Sequence, residues 1–223
     1  MAAAERADGL DRRPPGRGDQ RREALLASLK EHLRESGLEA INIADIARRA
    51  GVSRSAFYFY FENKVHAVAS LAGELYDDIR PAAEVLVGRE GSPQWRIETV
   101  IRRLFEAVDE HRHIYRAVLE TRAVSETVRS LWGADRQSFV EPVASMIRAE
   151  REAGNAPDGV GATALATVLL DLNDRALEHV VLGGPLSREQ HIRALTTVWL
   201  RTIYGTVPPD AAGAAPEESP GDL

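Results

Sequence analysis

Apolar residues recur at helical spacing through most of this chain. Leu25, Leu26, Leu29 and Leu33 share one face of a first segment. Amphipathic stretches follow near 64 to 87, 93 to 111, 112 to 121, 125 to 154, 159 to 182 and 187 to 205. Two shorter segments lie between, at 42 to 51 and 53 to 61. Gly37, Gly51, Gly88, Gly154 and the pair Gly183 and Gly184 stand where periodic segments end, the usual place for a left-handed closing residue. Few β-branched alternating runs compete. The pattern predicts an all-α fold of about nine helices with no internal repeat. Residues 1–19, rich in Arg, Pro and Gly, and the acidic tail 206–223 are too polar to bury a core, so both are expected to be flexible.

The short segments carry the most specific signal. Asn42 is placed to cap one helix, with Asp45 at its third position in an arrangement close to a capping box; the helix ends at Gly51, and Ser53 caps the next. Two short helices joined through a turn glycine form a helix-turn-helix. Ile46, Ala50, Val52 and Phe57 supply apolar contacts, and Ala47 is small enough for a close crossing. The second helix holds the run Phe57-Tyr58-Phe59-Tyr60-Phe61, in a chain with only five Phe, five Tyr and three Trp. At about 100° per residue, Phe57 and Phe61 share one side and fasten the helix, which is too short to stand alone. Ser55, Ala56, Tyr58, Phe59 and Tyr60 are left facing outward between Arg54 and Lys64. Hydroxyls and cations suit phosphates there, and Ala and Phe suit thymine methyls. A purely packed aromatic cluster is the structural alternative.

Charge gives this reading modest support. The 223-residue chain has a net charge of −6, yet residues 1–64 hold 12 Lys and Arg against 10 Asp and Glu, while the rest holds 16 against 24. Only the front is mildly basic, and Arg12, Arg13, Arg17, Arg21 and Arg22 offer an arm for further phosphate or minor-groove contacts. No cysteine is present, which removes disulfides, thiolate catalysis and sulfur-ligated metals. No apolar run approaches the ~18 residues of a membrane span, and the first residues lack the apolar centre of a signal peptide. A cytoplasmic protein without cofactor or membrane association is expected.

The back of the chain poses the choice between core and pocket. On one helix over 125 to 154, Trp132, Arg136, Phe139, Val143 and Met146 fall within about 80° of arc. Arg136 inside that stripe needs an anion, several acceptors or a path to water. Over 159 to 182, Ala166, Leu169, Leu170, Asn173, Leu177 and Val180 share a face, with Asp171, Arg175 and Glu178 opposite. Asn173 is therefore a polar amide on an apolar face and must find partners, in a neighbouring backbone or in a ligand. A carboxylate bundle enzyme is the rival from another class, through Glu106, Glu110 and His113, but it needs a second such group and none is evident. A helical DNA-binding activator or architectural factor without any effector is the other alternative.

The block from Asn42 to Lys64, with AxxAGVSRxxFYxYFxxK, resembles the DNA-binding domain of the TetR family of transcriptional repressors. AERExGNAP near 149 to 157, DLNDRAL at 171 to 177 and VWLRTIYG at 198 to 205 are similar to one mycobacterial branch of that family. The resemblance implies a homodimer on a palindromic double-stranded operator, with a DNA-binding domain over 20–66. It also implies a ligand-binding and dimerisation domain over 67–205 that pairs through its last two helices. It makes Tyr58 and Lys64 phosphate contacts, places Arg54, Ser55, Ala56, Phe59 and Tyr60 at or near the groove, and sets Asn42 where the family has Thr or Ser. Asn173 and Trp199 match ligand-contacting residues, Leu170 replaces a second Asn of the relatives, Trp95 is set against another pocket tryptophan, and Phe105 joins the stripe as a candidate contact. A small apolar or amphipathic effector is implied, and an acidic head group pairing with Arg136 is one form of it.

Overall fold

A computed structural model describes residues 17–88 and 90–205 of the chain. Among the described residues it holds ten α-helices, one 3-10 turn and no strand. The helices are α1 (Arg17–Glu35), α2 (Ile43–Arg49), α3 (Arg54–Tyr60), α4 (Lys64–Val87), α5 (Pro93–Glu110), α6 (Arg112–Val124), α7 (Glu126–Gln137), α8 (Val140–Glu152), α9 (Ala162–Leu182) and α10 (Arg188–Tyr204); the 3-10 turn is Leu38–Ala40. Eleven elements replace the expected nine. The turn is one addition. The other comes from the stretch 125 to 154, which is two helices.

Pro142 accounts for that break. A continuous helix would bring its ring against the carbonyl of Ser138 and forfeit one hydrogen bond. Instead α7 closes with Ser138 N–H on the Ala134 carbonyl (3.2 Å) and Phe139 N–H on Arg136 (3.1 Å), and Pro142 sits in the first turn of α8, where no N–H is needed. The single stripe of the sequence reading is thereby cut after Arg136.

The chain divides into two compact units between Lys64 and Val65, two residues before the expected boundary. In the first, α1 lays Leu25, Leu26, Leu29 and Leu33 into the core with Ile46, Ala47, Phe57 and Phe61. Helix α1 starts at Arg17, so the last residues assigned to the arm are helical; Arg12 and Arg13 lie outside the described residues. In the second unit the closest packing joins α8 to α9 and α10 to α5. Ser92 caps α5 by accepting from Trp95 N–H (3.1 Å), and Ser187 and Gln190 form a full capping box on α10. The AERExGNAP motif has a structural use. Glu150 accepts from the buried Arg96 guanidinium at 2.6 Å and from Asn155 Nδ2 at 3.0 Å, and Arg96 also donates to the Gly88 carbonyl at 2.8 Å. This tie joins the start of α5 to the end of α8.

Candidate nucleic-acid interface and effector cavity

The helix-turn-helix is built from local hydrogen bonds. Asn42 Oδ1 accepts from Ala44 N–H at 2.9 Å and caps α2. The reciprocal half of a capping box does not form, because the Asp45 carboxylate is engaged by Arg48 at 2.6 Å. At the other end Gly51 adopts φ 68°, its N–H bonds the Arg48 carbonyl and Val52 N–H bonds Ala47, which together form a Schellman motif. Any other residue at 51 would be strained. Ser53 then caps α3 through Ala56 N–H (3.2 Å). Ser28 Oγ of α1 donates to the Ile46 carbonyl at 2.9 Å, pinning α2 from behind.

Helix α3 sorts its aromatic run as the helical wheel requires. Phe57 and Phe61 are buried, with ring centroids 5.5 Å apart, whereas Tyr58 is 47% exposed and Phe59 82% exposed. Arg54 and Ser55 are exposed, and Ala56 and Tyr60 are half-buried. The outward groups brace one another. Arg54 lies over the Tyr58 ring at 5.7 Å and donates to its hydroxyl at 3.3 Å, and Ser55 Oγ is 2.8 Å from Ser53 Oγ. Among the described residues, the ring contact of Phe59 is with Tyr60, edge to face at 5.0 Å.

Lys64 departs from its expected role. Its Nζ donates to the carbonyls of Leu38 (2.8 Å), Ile41 (2.7 Å) and Glu39 (3.4 Å), so all three ammonium donors are committed around the 3-10 turn instead of being presented to a phosphate. The C-terminal carbonyls of a short turn are acceptors that an ammonium satisfies well. Arg22, assigned to the arm, packs its guanidinium over the Phe61 ring at 5.5 Å.

The second unit contains a partly open, largely apolar cavity of about 60 Å³. Ile79 and Leu86 of α4, Val100 and Leu104 of α5, Phe139, Pro142 and Val143 around the start of α8, and Leu170 of α9 form its apolar walls. Arg136, Asn173, Asp174 and Trp199 complete it. Six of the nine expected ligand residues are therefore gathered: Arg136, Phe139, Val143, Leu170, Asn173 and Trp199. The other three lie elsewhere. Trp132 lies in a neighbouring open cleft of about 560 Å³, and Met146 in a groove beside Arg96 and Glu150. Phe105 is fully buried core, stacked on His191 at 6.2 Å, and Trp95 covers Gly91. Periodicity missed Ile79, Leu86, Val100, Leu104, Pro142 and Asp174. The aliphatic residues read identically as core, while Asp174 follows Asn173 directly and stands at the edge of the apolar face.

Two polar groups define the cavity. Asn173 is buried, and its Oδ1 accepts from Trp199 Nε1 at 3.2 Å, which leaves Nδ2 uncommitted among the described residues. Arg136 contacts Asp171 through Nη1 and lies 3.7 Å from Asp174 through Nε. The anion expected for its guanidinium is thus supplied by the protein. Burial pushes the Asp174 carboxyl up to about 6, against the opposing pull of Arg136 and Arg122. The Glu-x-x-His spacing of the enzyme alternative is divided between two helices, since α5 ends at Glu110 and α6 begins at Arg112. Among the described residues no three His, Asp or Glu side chains gather as a metal site would need.

Comparison with known proteins agrees with both halves. The family profile "Bacterial regulatory proteins, tetR family" matches residues 25–68, and "Transcriptional regulator EthR, C-terminal domain" matches residues 97–205. The HTH-type transcriptional regulator EthR of Mycolicibacterium smegmatis is 32% identical over 194 residues, covering 86% of this chain and 89% of that protein. EthR of Mycobacterium tuberculosis is 33% identical over 195 residues, covering 84% and 89%. Among solved structures, the SmeT–triclosan complex superposes with a TM-score of 0.67 at 18% identity, over 91% of this chain and 98% of that one; at this identity the likeness concerns the fold.

Proposed function

The chain belongs to the TetR family of bacterial transcriptional regulators, with a C-terminal domain of the EthR type, and on that premise we propose that it is a dimeric repressor released from a palindromic operator by a small apolar or amphipathic effector. The observation that carries the DNA half is Phe59. A phenylalanine 82% exposed on a braced, capped helix forgoes roughly 2 kcal/mol of burial, and a thymine methyl in a major groove is the contact that recovers it. Arg54 and Tyr58 beside it hold phosphates and set the register.

Dimerisation is supported by α9 and α10. Val168 and Leu172, one turn apart on α9, and Val198 on α10 remain exposed in the single chain, and a two-fold pairing of these helices would cover them. A dimer presents two recognition helices to half-sites about one helical turn apart. The effector half rests on Asn173, whose spare donors stand among apolar walls suited to a ligand carbonyl or ether. At about 60 Å³ the cavity is far below the ~300 Å³ of ordinary ligand sites, so any such effector has to part its walls. That is the property an inducer site needs, because only a ligand that favours a second arrangement shifts an equilibrium.

The test is selection of fragmented host DNA by the full-length protein, followed by footprinting and addition of candidate effectors. A palindromic footprint that is lost when an effector raises the melting temperature supports the reading. Specific binding that no thermally stabilising ligand affects favours an architectural factor.

A further inference from the structure

The apolar cavity and the neighbouring open cleft share two residues, Arg136 and Asp174, which stand between them. The two are not evenly matched. Arg136 commits Nη1 to Asp171, whose side chain is on the rim, and reaches Asp174 only at 3.7 Å, beyond hydrogen-bonding distance. Asp174, with its side chain 23% exposed, accepts no hydrogen bond among the described residues. One guanidinium against two carboxylates leaves the trio with a formal charge of −1. The other cations of the cleft are engaged elsewhere: Arg122 and Arg175 share Glu178, Arg122 also lies over the Trp132 ring at 5.7 Å, and Arg129 pairs with Glu126 at 3.1 Å.

Resting on the reading of the C-terminal cavity as the effector site, we propose that this site takes an amphiphile with a cationic head group, an alkylammonium or amidinium, held by the Asp174 carboxylate while its apolar tail lies along Phe139, Leu170 and Trp199. An ammonium brings three N–H donors to a carboxylate that has none, and an amidinium brings two in a matching fork. Burial is what raises the Asp174 carboxyl, against the pull of Arg136 and Arg122, and a cation brought beside it would add to that pull. The acidic head suggested by Arg136 in the sequence is disfavoured, because an incoming carboxylate meets Asp171 and Asp174 already in place.

Three probes of equal chain length separate the possibilities: decylamine, decanol and decanoic acid, titrated below their aggregation limits into the full-length protein and followed by calorimetry. Decanol binding tests the apolar cavity alone. The amine is expected to bind at least about tenfold tighter than the alcohol, with the acid weakest. Within the Asp174→Asn variant the amine should lose its advantage over the alcohol. Asp171→Asn, a rim change that leaves the packing intact, should free Arg136 to turn to Asp174 and weaken the amine severalfold. Equal affinity for amine and alcohol, or an amine preference untouched by both variants, overturns the cationic head while the cavity stands. A preference for the acid moves the anchor to Arg122 and Arg175 and also overturns it. If none of the three binds, the cavity reading falls and the head-group assignment with it.

Discussion

The two units place their unusual residues on opposite sides of their surfaces. In the first, the interior polar groups noted above are met: Lys64 spends three donors on three carbonyls, Ser28 holds Ile46, and both short helices are capped. Its anomaly, Phe59, faces solvent. The second unit also exposes Val168, Leu172 and Val198, but its polar anomalies are inside. Asn173 has spare donors, Asp174 lacks donors, and the hydroxyl of buried Tyr115 finds no partner among the described residues. A rigid scaffold with an apolar projection suits reading a surface that already has a shape. An interior with uncommitted polar groups suits a molecule that has to be enclosed.

The largest effect should come from attacking the scaffold. Phe57→Ala removes a fully buried ring and should cost about 3–5 kcal/mol, unfolding the first unit and abolishing DNA binding whatever the sequence, as circular dichroism and gel shifts would report. Lys64→Met comes next, at about 1–3 kcal/mol, because it strands the carbonyls around the 3-10 turn. This variant sharpens the comparison: the melting temperature should fall while the salt slope of operator binding stays unchanged. A slope lower by about one would restore the phosphate role to Lys64.

In the second unit the expected sign reverses. The Asp174 carboxyl titrates near 6 in the folded chain, above its unfolded value of about 3.9, so the folded state binds the extra proton and stability declines as pH rises between these values. Asp174→Asn should therefore stabilise the protein by about 1–2 kcal/mol near pH 7.5 and by almost nothing near pH 4, measured by thermal melts at each pH. Phe59→Ala should change stability least, by under about 0.5 kcal/mol, yet alter base preference by about 1–3 kcal/mol at one step. A clear loss of stability would mean that Phe59 is scaffold after all and would dissolve the contrast.

How much of this was legible follows from the range of the interactions. The split of the aromatic run needed only the angle between successive residues, and the turn needed only Gly51 and two caps, so both could be read locally. The break at Pro142 was also local, but a stripe that continues across 138 to 143 on a wheel hides it. The commitments of Lys64 and Arg136 were beyond reach. They depend on carbonyls 23 to 26 residues away and on aspartates brought over by the packing of α7 and α9. The cavity itself arises where six predicted residues meet six that sequence alone assigns to core or to a helix edge.

Lys64 is the first residue of α4, and Ile79 and Leu86, on either side of Pro81 inside the same helix, line the cavity. Mechanically, α4 is a shaft with a three-point fastening at one end and a bearing surface along the other. Three bonds that converge on one nitrogen, at the end of a flexible four-carbon stem, fix where that point lies and leave the direction of the helix free, so the fastening is a ball joint. Within the first unit, that fastening ties residues 38 to 41 to the start of α4, so the turn that precedes α2 and the residue that opens α4 keep a fixed separation.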